Sequence, residues 1–182
     1  MSPGKTVGLY FRYGISEEAA SLVGDFPSRM QLRSAVAKAL EGSRLDRMQE
    51  GPPCAAERVE ISLFLASDRE MAQLNGEFRG RAQPTNCLSF PAPVFPDASS
   101  RRTVLGDIAI APAVVAAEAI AQGKRLLDHY RHLLIHSTLH LLGYDHEEHG
   151  EALEMEALEI RLLAEMGVAD PYEIPQDERR SK

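Results

Sequence analysis

From Arg58 to Ala66 the chain alternates, with Val59, Ile61, Leu63 and Leu65 on one side and Glu60, Ser62 and Phe64 on the other. A period of two predicts a strand with one buried face. Thr6 to Tyr13, Asn86 to Phe90 (ended by Pro91 and Pro93) and Val104 to Ala111 read as three further strands. Elsewhere the period is helical. Ser28 caps a helix to about Leu40, with Met30, Ala35, Val36, Ala39 and Leu40 near one face and Gly42 as its stop. Ser67 with Glu70 forms a capping box that opens a short helix through Met71, Leu74 and Phe78. Pro112 suits the first position of a helix that Gly123 closes. Leu126 to Leu142 is a strongly apolar helix closed by Gly143, and Glu148 to Met166 is a last helix burying Leu153, Leu158, Leu162 and Met166. The stretch after the first strand, residues 43–57 and the segment from Val94 to Arg102 read as loops. Four strands and about five helices in this order predict a single α+β domain with one mixed four-stranded sheet. It is expected to span residues 7–170, between a flexible N-terminus (1–6) and a polar, loose tail (171–182).

Composition narrows the class. A chain of 182 residues with 44% hydrophobic positions can bury a self-sufficient core and is not a disordered polymer. Two cysteines, Cys54 and Cys87, are too few for a disulfide scaffold or a four-cysteine metal site. No run approaches the ~18 apolar residues of a membrane span. The start lacks the apolar core of a secretory signal, so a cytoplasmic location without membrane partners is expected. The net charge of −7 is concentrated in residues 145–182, which hold 12 acids and 4 bases. The remainder is nearly neutral, so net charge does not exclude a nucleic-acid partner.

All six histidines lie between positions 129 and 149. His136 and His140 stand one turn apart on one face of the predicted helix, where both nitrogens can reach a single ion at about 2.0–2.1 Å. Gly143 can take the left-handed conformation that ends the helix, and the folded-back chain returns His146 as a third ligand. Three neutral nitrogen donors leave an open position, the mark of a catalytic rather than a structural zinc site. His129, His132 and His149 read as solvated helix residues. The offsets of the three histidines and the glycine match the metzincin peptidase pattern, but Ser137 replaces the glutamate that serves there as general base. A serine hydroxyl does not accept a proton near neutral pH, so metal-assisted hydrolysis survives this comparison and peptidase chemistry does not.

A second segment, Leu74-Asn-Gly-Glu-Phe-Arg79-Gly-Arg81-Ala-Gln-Pro84-Thr-Asn86-Cys-Leu-Ser-Phe90, sets two arginines between a helix and a short strand, where a loop would rim a cleft. Guanidinium forks match phosphate oxygens in pairs, so Arg79 and Arg81 could hold a phosphodiester. The asparagines and Thr85 could equally stabilise turns. Together with Leu105-Gly-Asp-Ile108, the His136 to His146 run and the Asp170-Pro171-Tyr172 ending, this segment resembles the YbeY family of bacterial metal-dependent endoribonucleases, from about residue 58 to Tyr172.

The resemblance implies single-strand-specific cleavage in ribosomal RNA maturation, including the 16S rRNA 3′ end, and a part in ribosome quality control. It further implies zinc, one ion per chain, on His136, His140 and His146, with nickel or another transition metal also compatible. Arg79 takes the place of the family's functionally important arginine, here the catalytic residue that neutralises charge on the phosphorus. Single-stranded ribosomal RNA and the small ribosomal subunit or its proteins are the implied partners, and no DNA is expected. Ala82 departs from the family's usual aspartate, and no general-base role is placed there. Asp107 reads as a structural acceptor at the start of its strand, with support of a ligand as the alternative, and Asp145 as a residue that caps the turn or orients the third ligand or a water. Two other functions fit parts of the pattern: a zinc-stabilised assembly factor without catalysis, and a metallopeptidase-like hydrolase.

Overall fold

The structure, a computed structural model, describes residues 8–22, 26–43, 58–93, 102–144 and 149–173. Cys54, the Val94 to Arg101 stretch, Asp145, His146 and the tail beyond Glu173 lie outside the described residues. The elements run β1 (Gly8–Ile15), α1 (Glu17–Leu22), α2 (Arg29–Gly42), β2 (Arg58–Leu65), α3 (Asp68–Arg79), β3 (Cys87–Pro91), β4 (Arg102–Ile110), α4 (Pro112–Ala121), α5 (Leu126–Leu141) and α6 (His149–Glu165). The four strands form one mixed sheet in the order β1-β2-β4-β3, parallel except for β3, which runs antiparallel to β4. The α+β class and its four-stranded sheet follow the expectation from sequence.

Helix boundaries are set where local chemistry predicts. Ser28 and Ser67 each cap a helix in a reciprocal box, with Gln31 and Glu70 as the third residues. Pro112 opens α4. One helix was not expected: α1 occupies part of the stretch read as loop. The Ser16 hydroxyl accepts from the Ala19 amide at 3.1 Å, and Glu17 and Glu18 lie in the first turn, where the helix dipole favours negative charge.

The sheet buries one face under α2 and α5. Val59, Ile61, Leu63, Leu65, Ile108 and Ile110 meet Leu32, Val36, Tyr130, Leu134 and Leu139 in the main core. Each large apolar side chain so buried contributes about 1.5–3 kcal/mol. On the other face a smaller cluster joins Met71, Leu88 and Ala109 to the flanking Leu74 and Phe90. The expected faces of two helices hold except at one residue each: Ala35, Val36 and Ala39 in α2 and Leu162 in α6 are buried as expected, with Leu40, Leu158 and Met166 packed against the core. Met30 is exposed and Leu32 is buried in its stead; in α6 Leu153 is exposed, while Met155, Glu159, Leu162 and Leu163 form the buried stripe.

At Gly106 the pairing of β2 with β4 slips by one residue, since Glu60 faces Val104 but Ile61 faces Gly106. Gly106 has φ 138°, and a Cβ there would collide with the Phe90 carbonyl. This bulge brings the backbones of β4 and β3 close beside the Ala92 amide, which donates to Leu105 O at 2.9 Å. Asp107 lies in mid-strand, exposed, rather than at the start of the strand.

Candidate metal centre

Helix α5 carries the centre because it is surrounded. Its residues His129, Tyr130, Leu133, Leu134, Ile135, Ser137, Thr138, Leu139 and Leu141 are all buried, which fixes its rotation against the sheet. That rotation turns His136 and His140 together toward the same opening. The two Nε2 atoms stand 3.1 Å apart, with the rings nearly perpendicular at 84°.

Each ring is held through its other nitrogen, by different means. The helix ends in a Schellman turn: Gly143, at φ 82°, donates its N–H to His140 O at 3.0 Å, and the Tyr144 amide donates to Leu139 O at 3.0 Å. The turn presents the Tyr144 carbonyl to Nδ1 of His140 at 3.0 Å. His136 points its Nδ1 at Glu159 Oε1 on α6, 2.9 Å away. Burial pushes the Glu159 carboxyl up, but hydrogen bonds from His132, His136 and Tyr172 outweigh it and hold the group down at about 2. Glu159 is therefore an acceptor only. A carbonyl and a carboxylate on the two Nδ1 atoms place the protons there, so in the neutral rings both Nε2 lone pairs face one another.

This geometry fits a metal ion. Two lone pairs 3.1 Å apart repel unless positive charge is shared between them, and two nitrogens bound at 2.0–2.1 Å in tetrahedral geometry sit about 3.3 Å apart. Among the described residues no group of three or more His, Cys, Asp or Glu side chains is arranged to hold a metal ion. His146, expected as the third ligand, lies outside them.

Beside the pair lies a cleft of about 230 Å³ lined by Arg79, Ser89, Pro91, His140, Gly143 and Tyr144. Arg79 is exposed in the last turn of α3, which Gly80 closes in a left-handed conformation, and forms no ion pair among the described residues. Arg81 is exposed on the loop that follows. The loop is pinned by the buried Asn75, whose side-chain amide donates to Gln83 O at 2.8 Å and whose carbonyl accepts from the Arg81 amide at 3.2 Å. Asn86 is likewise structural: its amide donates to Glu118, which also accepts from Nε2 of His129 at 2.8 Å. Ser137 is wholly buried against β3, and its carbonyl accepts from the Ser89 hydroxyl at 3.4 Å. It has no place in the cleft and no base to offer there. Burial raises the Cys87 thiol to about 11, which removes it as a thiolate nucleophile near neutral pH.

Two histidines expected in solvent are not there. His129 is buried between α4 and α5, and His132 is largely buried, with Nε2 donating to Glu159 Oε2 at 3.0 Å. The sequence reading missed Glu159, Glu118 and the Tyr144 carbonyl. The available signal was an acid at position 159, spaced helically from Met155, Leu162 and Leu163 on the buried stripe of α6.

Residues 29–167 match the family model described as Endoribonuclease YbeY. Similar proteins carry the same name. One from Paramagnetospirillum magneticum is 52% identical over 63% of this chain and 71% of its own length. One from Allorhizobium ampelinum is 41% identical over 81% and 88%, and one from Cellvibrio japonicus 40% identical over 89% and 84%. The solution structure of TM1509 from Thermotoga maritima shares the fold, with a TM-score of 0.50 and 22% identity over 91% of this chain and 100% of that one.

Proposed function

The chain belongs to the YbeY family of endoribonucleases, and from that premise we propose that it cleaves single-stranded RNA during ribosomal RNA maturation, the 16S rRNA 3′ end included. The metal-dependent cut takes place in the cleft between His140 and Arg79. His136 and His140 hold a transition metal, zinc by the chemistry of the donor set, with His146 as third ligand. The observation that carries this reading is the pair of Nε2 atoms 3.1 Å apart, each ring oriented by an acceptor on its Nδ1, beside an arginine free of ion pairs among the described residues.

A bound transition metal supplies Lewis acidity toward a phosphate oxygen and acidifies water. The chain supplies the rest. Glu159 and the Tyr144 carbonyl keep both imidazoles in the tautomer that offers Nε2. Arg79 meets the non-bridging phosphate oxygens with its guanidinium fork and neutralises the charge that builds on phosphorus. Its position at the C-terminal end of α3 suits a cation, since the helix dipole is negative there. Asn75 fixes the loop so that the arginine is aimed before substrate arrives. The partners on this reading are single-stranded ribosomal RNA and the small ribosomal subunit, and the chain works in the cytoplasm. No helix among the described residues is long and apolar enough to cross a membrane.

Arg79→Glu tests the assignment. The variant is expected to retain its metal and its circular-dichroism spectrum while cleavage of an unstructured RNA falls by about 100-fold or more. Cleavage at the wild-type rate would remove Arg79 from the chemistry.

A further inference from the structure

The Asp170-Pro171-Tyr172 ending has no part in the cleft, yet it is held in place. Tyr172 donates its hydroxyl to Glu159 Oε2 at 2.6 Å, Asp170 accepts from the Tyr172 amide at 2.8 Å, and Lys124 donates to the Pro171 carbonyl at 3.1 Å. The His132 ring packs edge-on against Tyr172, with centroids 5.5 Å apart, and reaches the same carboxylate oxygen. Glu159 is fully buried and receives three donors: His136 on one oxygen, His132 and Tyr172 on the other.

A carboxylate in a stripe otherwise made of Met155, Leu162 and Leu163 is a poor way to stabilise a helix interface. Removing such a charge from water is unfavourable, and an apolar residue of similar volume serves packing as well or better. What the carboxylate does supply is an acceptor at a fixed point on Nδ1 of His136. Acceptors in that position set the tautomer and orientation of a ligating imidazole and shift metal affinity by 10- to 100-fold.

We propose that the Asp-Pro-Tyr turn and His132 are part of the metal centre, acting through Glu159 as the positioning residue for His136. The inference rests on the reading of His136 as a metal ligand. Tyr172 and His132 occupy Oε2, which leaves Oε1 for His136 and keeps the carboxylate from rotating. The C-terminal turn thus joins a residue 36 positions upstream to the site.

The test uses the full chain with zinc, titrated against a competing chelator at fixed pH, and cobalt as a spectroscopic substitute. Tyr172→Phe is expected to weaken zinc binding by roughly 10-fold and Glu159→Gln by 10- to 100-fold. Both should shift the visible bands of the cobalt protein, a change that a purely structural role would not produce. Tyr172→Phe removes one hydroxyl from a half-exposed side chain, so it carries the test if Glu159→Gln fails to fold. Unchanged zinc affinity and an unchanged cobalt spectrum overturn the proposal, even if thermal stability falls. A wild-type chain that takes up neither metal overturns instead the ligand reading beneath it.

Discussion

His140 and His136 are one helical turn apart and face each other, yet their surroundings are built differently. His140 is oriented by a backbone carbonyl four residues downstream, delivered by the glycine turn that ends its own helix. His136 is oriented by a buried carboxylate 23 residues away, on another helix, itself held by groups from α5 and from the chain beyond α6. The first arrangement is local and neutral and survives most side-chain changes. The second is charged and tertiary, and it exists only when α5, α6 and the C-terminal turn are assembled. One half of the centre is written into a short stretch of sequence, and the other half is a product of folding.

The sharpest way to break the comparison is Glu159→Ala. Three donors lose their acceptor in a buried site, and chemical unfolding of the metal-free chain should show a loss of about 3 kcal/mol, the scale of breaking a buried pair. A loss below ~1 kcal/mol, the scale of a solvated pair, would show that the cluster is not tightly coupled to the fold. Gly143→Ala addresses the local half. At φ 82° an alanine is strained by about 1–2 kcal/mol, and the turn that offers the Tyr144 carbonyl should distort, with the loss of stability smaller than for Glu159→Ala. The reverse order would mean that the local turn, not the buried carboxylate, dominates.

The smallest effect concerns His129, buried beside Glu118. Burial pushes its pKa below 6.5, against the upward pull of the carboxylate. The unfolded chain therefore takes up a proton first as pH falls. The stability this histidine contributes is complete above about 6.5 and is lost as pH drops through that window toward its folded value. Urea unfolding at pH 7.5 and 5.5 should show a smaller drop for His129→Gln than for the parent chain. Equal drops would mean that His129 titrates alike in both states.

The same contrast explains what could be read without coordinates. The cap at Ser28, the capping box at Ser67, the strand period of β2 and the His136–Gly143 spacing are short-range patterns and stand where they were expected. Ser28 proves to cap in a full box with Gln31, and Glu60 is buried as well. The Glu159 cluster is not legible because the apolar face expected of α6, Leu153, Leu158, Leu162 and Met166, leaves out position 159. Leu153 is 55% exposed, and the stripe that is buried includes an acid that breaks the apolar period. His132 and His129 looked like solvated helix residues because nothing local distinguishes a histidine covered by α6 or α4 from one facing water. Helix α1 escaped because its six residues are too few to show a period.

The claim on which the rest depends is that the facing Nε2 atoms of His136 and His140 share a metal ion. Metal analysis of the purified chain beside its His140→Ala variant tests it most directly. About one transition-metal ion per wild-type chain is expected, and little or none in the variant. Equal metal content in the two proteins would contradict it.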